Sequence, residues 1–190
     1  MSAVKIPASI AAEVATPVMG RALTAAAFAL ISIFWPSATN QVLAYSLAAF
    51  MVISAKFIWD YSKAPSAPGE VRALYAFAAL VMILSGLSMA FFPQVLVVGI
   101  AGAVGFIVAG LLEIIVFFRH RADFLPFRDQ LVTGFVGLGV GGALLMGINL
   151  DAHGLLGLAG GGAIILAVFE LISAFGLRHD AKAKPAGLWS

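Results

Sequence analysis

The feature that most limits what this chain can fold into is its long runs of apolar residues. One of them, residues 95–112, contains no charged, amide or hydroxyl side chain. A helix of about 20 such residues crosses the hydrocarbon core of a bilayer, which is about 30 Å thick. Only 11% of the 190 residues are charged, against about 25% in soluble domains. We therefore predict an all-α, polytopic membrane protein with the lipid bilayer as its main partner.

Six apolar segments of suitable length follow one another along the chain. They cover residues 19–35, 40–61, 71–92, 95–118, 129–148 and 153–176. The preceding segment has apolar residues at every fourth position, which is typical of a short helix on a membrane surface. These residues are Ile6, Ile10, Val14 and Val18, and Pro7 and Pro17 limit the length of such a helix. We predict an interfacial segment at 1–18, a transmembrane domain at 19–178 and a cytoplasmic tail at 179–190.

Lysine and arginine fall almost entirely on one side of the predicted spans. Ten of the eleven basic residues lie in alternate connections and in the two tails, and the eleventh, Lys56, is close to the same side. The ten are Lys5, Arg21, Lys63, Arg72, Arg119, Arg121, Arg128, Arg178, Lys182 and Lys184. Because short loops rich in Lys and Arg remain in the cytoplasm, we predict that both termini are cytoplasmic.

The chain repeats itself at an interval of 57 residues. Phe34-Trp35-Pro36 recurs as Phe91-Phe92-Pro93, and the same interval then reaches Ile148-Asn149-Leu150, which lacks the proline. Copies that each contain two helices enter the membrane in one orientation and are related by an axis along the membrane normal. We predict three tandem helical hairpins, at about residues 19–63, 71–121 and 128–178, in a pseudo-threefold arrangement.

Three ionisable residues lie well inside the predicted spans, again 57 residues apart: Lys56, Glu113 and Glu170. The residue eight positions earlier, on the same helix face, is small in each case (Ala48, Gly105 and Gly162). Small residues favour close helix contacts in lipid, so we expect these side chains to form a buried ionic cluster that fixes the packing of the hairpins. Two alternatives stay open. The long side chains could reach the headgroups, or the cluster could conduct protons or cations.

Glycine is concentrated in the third copy. Gly137-x-x-x-Gly141 and Gly157-x-x-x-Gly161 have the spacing that lets two helix backbones approach closely in a membrane. Together with Gly105 and Gly162, they are the predicted helix-packing positions. The favoured interpretation is packing of the fifth predicted span against the sixth. The alternative is a contact face for another membrane protein or for a second copy of the chain.

No pattern in the sequence indicates catalysis or a bound cofactor. There is no cysteine, and His120, His153 and His179 do not pair at metal-ligand spacing on a helix face. No nucleophile and base are suitably placed for catalysis. The net charge of +2 is modest and does not indicate nucleic-acid binding. We predict no enzymatic activity, cofactor, metal or nucleic-acid partner.

The stretch Gly86-Leu-Ser-Met-Ala-Phe-Phe-Pro93, followed by a glycine-rich helix and by Gly110-Leu-Leu-Glu-Ile-Ile-Val-Phe-Phe-Arg119, resembles the HdeD-type acid-resistance membrane proteins. That family has six helices in three hairpin repeats. The first copy departs from its pattern through Lys56, and the third lacks the proline. The resemblance implies a non-enzymatic protein of the bacterial inner membrane linked to acid or envelope stress, with no functional residue carried over.

Two other functions stay open at this point. The chain could be a structural accessory subunit of a larger membrane complex, which its glycine-rich faces suit. It could also be a small proton or cation transporter that uses Lys56, Glu113 and Glu170.

Overall fold

The computed structural model describes residues 6–122, 126 and 129–182, and all regular structure in these ranges is helical. The helices are α1 (Ala8–Phe34), α2 (Asn40–Ser62), α3 (Gly69–Phe91), α4 (Val95–His120), α5 (Gln130–Met146) and α6 (Ala152–Lys182). Five of them are long and apolar enough to cross a membrane, and α5 is a shorter apolar helix of 17 residues. The predicted all-α class is confirmed, and the apolar helices support a membrane protein.

Prolines and capping residues explain where several helices begin and end. α3 ends at Phe91, because Pro93 disfavours helical geometry in the residue before it. The hydroxyl of Thr39 accepts a hydrogen bond from the backbone N–H of Val42 at the start of α2. Connections 35–39, 92–94 and 147–151 lie at what we call the short-loop end of the bundle. Connection 63–68 and the described residues between α4 and α5 (121, 122, 126 and 129) lie at the opposite end, which we call the basic end.

The six helices form a closed ring, in which each helix packs against its neighbours in the chain and α6 returns to α1. The most extensive packing lies between the predicted hairpins rather than within them: α2 against α3, α4 against α5, and α6 against α1. α2, α4 and α6 also contact one another. The core therefore lies along the centre of the ring, where side chains such as Leu47, Met51 and Leu155 are fully buried.

The predicted interfacial segment is, from residue 8 onward, part of a longer helix. α1 begins at Ala8 and continues through Pro17 to Phe34. Pro7 precedes the first helical residue, where an N–H has no partner within the helix. Val14 is fully buried, and the other three residues of the four-residue pattern pack partly against the same core. The pattern therefore faces the bundle instead of the lipid headgroups, which corrects the predicted boundary at residue 18.

Glycine permits a close approach of α4 and α5. A Cβ added to Gly110 would lie 2.6 Å from the carbonyl oxygen of Gly134. At Gly137 and Gly141 it would lie 3.1 and 3.0 Å from carbonyl oxygens of α4. Gly137-x-x-x-Gly141 therefore packs closely, but against α4 instead of the predicted α6. The reason is that α4 presents a glycine of its own at the contact, so the two backbones can meet.

The other predicted packing glycines have different neighbours. A Cβ at Gly105 would touch Met51 of α2, and one at Gly162 would clash with the side chain of Val140 in α5. Gly157 and Gly161 are exposed, and a Cβ at either position would meet nothing within 4 Å. That pair therefore does not serve packing within the described chain, and its role as a face for another protein stays a prediction.

Candidate functional site

A cluster of three charged side chains lies inside the bundle. Nη2 of Arg21 in α1 is 2.8 Å from Oε1 of Glu113 in α4 and 3.0 Å from Oε1 of Glu170 in α6. The glutamate side chains are only 5% and 6% exposed, and that of Arg21 is 16% exposed. We call these three residues the charged triad. A single guanidinium nitrogen thus joins helices from all three predicted hairpins.

The structure brings two of the three predicted cluster residues together, but the cation between them is Arg21. Lys56 lies on the outer face of α2 with its side chain 63% exposed, and it pairs with Asp60 one turn later. Its ammonium also lies 4.8 Å from the centre of the Phe57 ring. The prediction that Lys56 belongs to the buried cluster is therefore wrong. A long side chain on an exposed face is free to extend toward water.

The burial pattern of α2 explains why Lys56 faces outward. Buried positions of α4 and α6 correspond at the interval of 57, but those of α2 correspond to α4 at an interval of 55. Leu43, Leu47, Phe50, Met51 and Ser54 then match Val98, Gly102, Gly105, Phe106 and Ala109, all of them buried. In this register Ile58, which is also buried, is the counterpart of Glu113. Two residues correspond to a rotation of about 200° around a helix, which moves Lys56 from the core face to the outer face.

The charge pattern predicts that Arg21 lies in a cytoplasmic tail, and this prediction is also wrong. It lies thirteen residues from each end of α1, counted from Ala8 and from Phe34. Six of the other basic residues are exposed at or near the basic end: Lys63, Arg72, Arg119, Arg121, Arg178 and Lys182. Lys5, Arg128 and Lys184 lie outside the described residues.

Neutral polar side chains surround the triad. Tyr61 of α2 and Tyr75 of α3 are buried, with ring centroids 5.8 Å apart. Tyr75 interacts electrostatically with Arg21 and Glu113, and Tyr61 interacts with the side chain of Gln130 in α5. Each of the six helices therefore contributes at least one polar side chain to this region. The tyrosines and the amide add no charge, so the triad keeps its excess of one negative charge.

Three phenylalanines close the triad off on the side of the short-loop end. Phe28 and Phe50 have ring centroids 5.1 Å apart, and Phe50 and Phe106 have centroids 5.7 Å apart. Between these rings and the triad lies an inner cavity of about 30 Å³, enough for about one or two water molecules. Access to the triad from the short-loop end is therefore blocked by packed aromatic rings.

A larger cavity of about 280 Å³ opens beside the triad, between α1, α5 and α6. We call it the lateral cavity. It shares Arg21, Thr133 and Glu170 with the inner cavity. Its position follows from α5, which is short and packs more extensively on α4 than on α6. The lateral cavity therefore gives access to the triad from the side of the bundle.

Ionic contacts at the basic end are of a different kind, because they face water. Glu70 of α3 pairs with Arg119 and lies 3.4 Å from Nε2 of His120, both in α4. The carboxylate of Glu13 accepts hydrogen bonds from the N–H and the hydroxyl of Ser66. Exposed pairs of this kind contribute about 0–1 kcal/mol each. In the described part of the chain, no group of three His, Asp or Glu residues could hold a metal ion.

No protein-family model, curated protein or solved structure matches this chain. The HdeD-type resemblance therefore depends on the sequence motifs alone, and the site depends on its geometry. Within the motif that ends at Arg119, the geometry distinguishes two charged residues: Glu113 belongs to the buried triad, whereas Arg119 pairs with Glu70 at the surface.

Proposed function

We propose that this chain is a non-enzymatic, multi-pass protein of the bacterial inner membrane, and that its charged triad is an ionic clamp that responds to acid. The observation that carries the proposal is the single nitrogen of Arg21 in contact with Glu113 and Glu170. Both termini are cytoplasmic in this proposal, because exposed basic residues gather at one end of the bundle. The role in acid or envelope stress follows from the HdeD-type motifs.

The proposal includes three tandem hairpins related by pseudo-threefold symmetry. Support comes from the interval of 57 residues between Phe34 and Phe91, the last residues of α1 and α3. The alternation of stronger packing between hairpins and weaker packing within them also favours it. In such an arrangement the hairpins depend on contacts with one another, and a clamp among α1, α4 and α6 joins all three.

The response to acid follows from the charge balance of the triad. One positive charge faces two negative charges in an apolar interior, where an uncompensated charge is costly. With one more proton, the triad as a whole is electrically neutral. The contacts among α1, α4 and α6 are therefore expected to strengthen when the surroundings become acidic.

Thermal unfolding in mild detergent tests this proposal. From about pH 8 to about pH 5, we expect the melting temperature of the wild type to rise by at least 2–4 °C, the shift that about 1 kcal/mol gives in a chain of this size. Glu113→Gln and Glu170→Gln already have a balanced triad, so their curves should change less. Asp180→Asn, near the end of α6, is the matched control. The clamp is refuted if both glutamine variants keep the full pH response of the wild type.

A structural accessory role in a larger membrane assembly is the second candidate, and the exposed Gly157-x-x-x-Gly161 face favours it. We expect Gly157→Leu with Gly161→Leu to remove a co-purifying partner, or self-association, because the leucines prevent close helix contact. Cross-linking in membranes followed by mild solubilisation measures this. Gly139→Leu, at an exposed position of α5, is the control. Equal cross-linking in all three proteins would exclude this face as a contact.

Proton or cation transport finds less support. Lys56 lies outside the cluster, and the triad is closed by aromatic rings on the side of the short-loop end. A conducting path would require these rings to separate.

A further inference from the structure

Three of the polar side chains that line the lateral cavity, those of Asp129, Gln130 and Glu170, carry acceptor oxygens. The carboxylate of Asp129 accepts a hydrogen bond from the hydroxyl of Ser173, and Glu170 is in contact with Arg21. Gln130 is only 5% exposed, and its Oε1 has no hydrogen-bond partner among the described residues. A buried oxygen without a donor carries a desolvation penalty. Gln130 lines the lateral cavity, so a rotation of its amide would bring this oxygen to a donor bound there.

The charges around the cavity favour a cation. Arg21 is the one cation among the described lining residues, and it is already engaged by Glu113 and Glu170. Asp129 adds a further negative charge at the cavity wall. Together these four side chains carry one positive and three negative charges. An anionic headgroup would meet repulsion here, whereas an ammonium group would reduce the imbalance.

The remaining walls are apolar. Val18, Val132, Ile172 and Leu177 line the cavity together with the ring of Phe169. The cavity volume is close to the lower end of the range for small-molecule sites, about 300–1,000 Å³. An aromatic ring can also contact a cationic group favourably. The site therefore suits a small molecule with an apolar body and one charged end.

We propose that the lateral cavity binds an amphipathic organic cation, with its ammonium group donating hydrogen bonds to Gln130 and Asp129 and its apolar body against Phe169 and Ile172. The molecule enters from the side of the bundle, from the membrane. This site goes beyond the acid clamp, since the clamp needs no ligand. The two proposals can fail separately, because the clamp is tested by a pH response and the site by binding at constant pH.

Four probes with the same octyl chain test the site on the full-length protein in nanodiscs of phosphatidylcholine. They are octylammonium, octyltrimethylammonium, octanol and octanoate, and the readout is the melting temperature as a function of probe concentration. We expect saturable stabilisation by octylammonium, a weaker effect of the trimethyl compound, which has no N–H donor, and none by octanol or octanoate. An equal response to octylammonium and octanoate would overturn the proposal, because it would indicate partition into lipid.

Two variants test whether octylammonium binds in the lateral cavity. Asp129→Asn preserves the size of the side chain, and Gln130→Leu removes the unpaired oxygen. Loss of a hydrogen bond to a charged group corresponds to a decrease in affinity of about tenfold or more, and we expect this for both variants. Asp151→Asn, at the short-loop end, is the control. If Gln130→Leu does not fold, Asp129→Asn decides, and an unchanged affinity for octylammonium in that variant refutes the site.

Discussion

Arg21→Met is expected to lower the free energy of unfolding by about 3–5 kcal/mol, the cost of breaking a buried ion pair by removing one partner. The substitution leaves two nearly buried carboxylates, Glu113 and Glu170, without a counter-charge. Methionine retains an apolar stem like that of arginine but lacks the guanidinium group, so the loss reflects charge more than packing of the stem. Unfolding in mixed micelles at neutral pH, followed by tyrosine and tryptophan fluorescence, measures the difference.

The charge balance of the triad makes the expected effects asymmetric. Glu113→Gln or Glu170→Gln leaves one arginine with one glutamate, so each should cost far less than Arg21→Met. Combining Arg21→Met with both glutamine substitutions removes all charge from the triad, and neutral replacements of buried ionic groups are often well tolerated. We therefore expect the triple variant to recover most of the stability that the single Arg21→Met variant loses.

Lys56→Met is the control for the loss of a basic residue. Lys56 is exposed and pairs with Asp60 at the surface, so its loss should cost about 0–1 kcal/mol. A cost for Arg21→Met as small as that for Lys56→Met would contradict a stabilising triad. So would a triple variant no more stable than Arg21→Met alone, because the loss would then not come from unpaired carboxylates.

The sequence predicts the helices well because long apolar runs have few other stable states in a membrane. It does not predict the rotation of each helix about its axis. The interval of 57 was read from turns such as Trp35-Pro36 and Phe92-Pro93, and turns fix the ends of helices. Whether Lys56 or Ile58 faces the centre depends instead on which face of α2 packs best, and that is decided by the neighbouring helices.

Arg21 escaped prediction for a related reason. Pro7 and Pro17 indicated that helical structure before residue 19 would be short, so Arg21 was placed near the end of a span. Helix α1 includes Pro17, since proline in a membrane helix is tolerated where neighbouring groups compensate for the lost hydrogen bond. The apolar stripe that includes Val14 and Val18 was the available signal. Extending the helix back to it places Arg21 at the midpoint, where a charge requires a partner.

The second large effect is expected at Gly110, where α4 and α5 meet. A Cβ at this position would lie 2.6 Å from the carbonyl oxygen of Gly134 and 3.0 Å from the backbone nitrogen of Leu138. Both are backbone atoms, so no side-chain rotation relieves the clash, and the two helices must separate. Overpacking of this kind costs about 1–3 kcal/mol, and we expect Gly110→Ala to lower the melting temperature accordingly.

Gly139→Ala is the matched control, because a Cβ there meets nothing within 4 Å and alanine is the better helix former by about 1 kcal/mol. Its melting temperature should be unchanged or higher than that of the wild type. Gly110 also precedes Glu113 by three residues on the same helix face, so separating the helices should disturb the triad. The effects of Gly110→Ala and Arg21→Met should then be non-additive. Strict additivity, or equal stability of the two alanine variants, would show that the close α4–α5 contact does not support the triad.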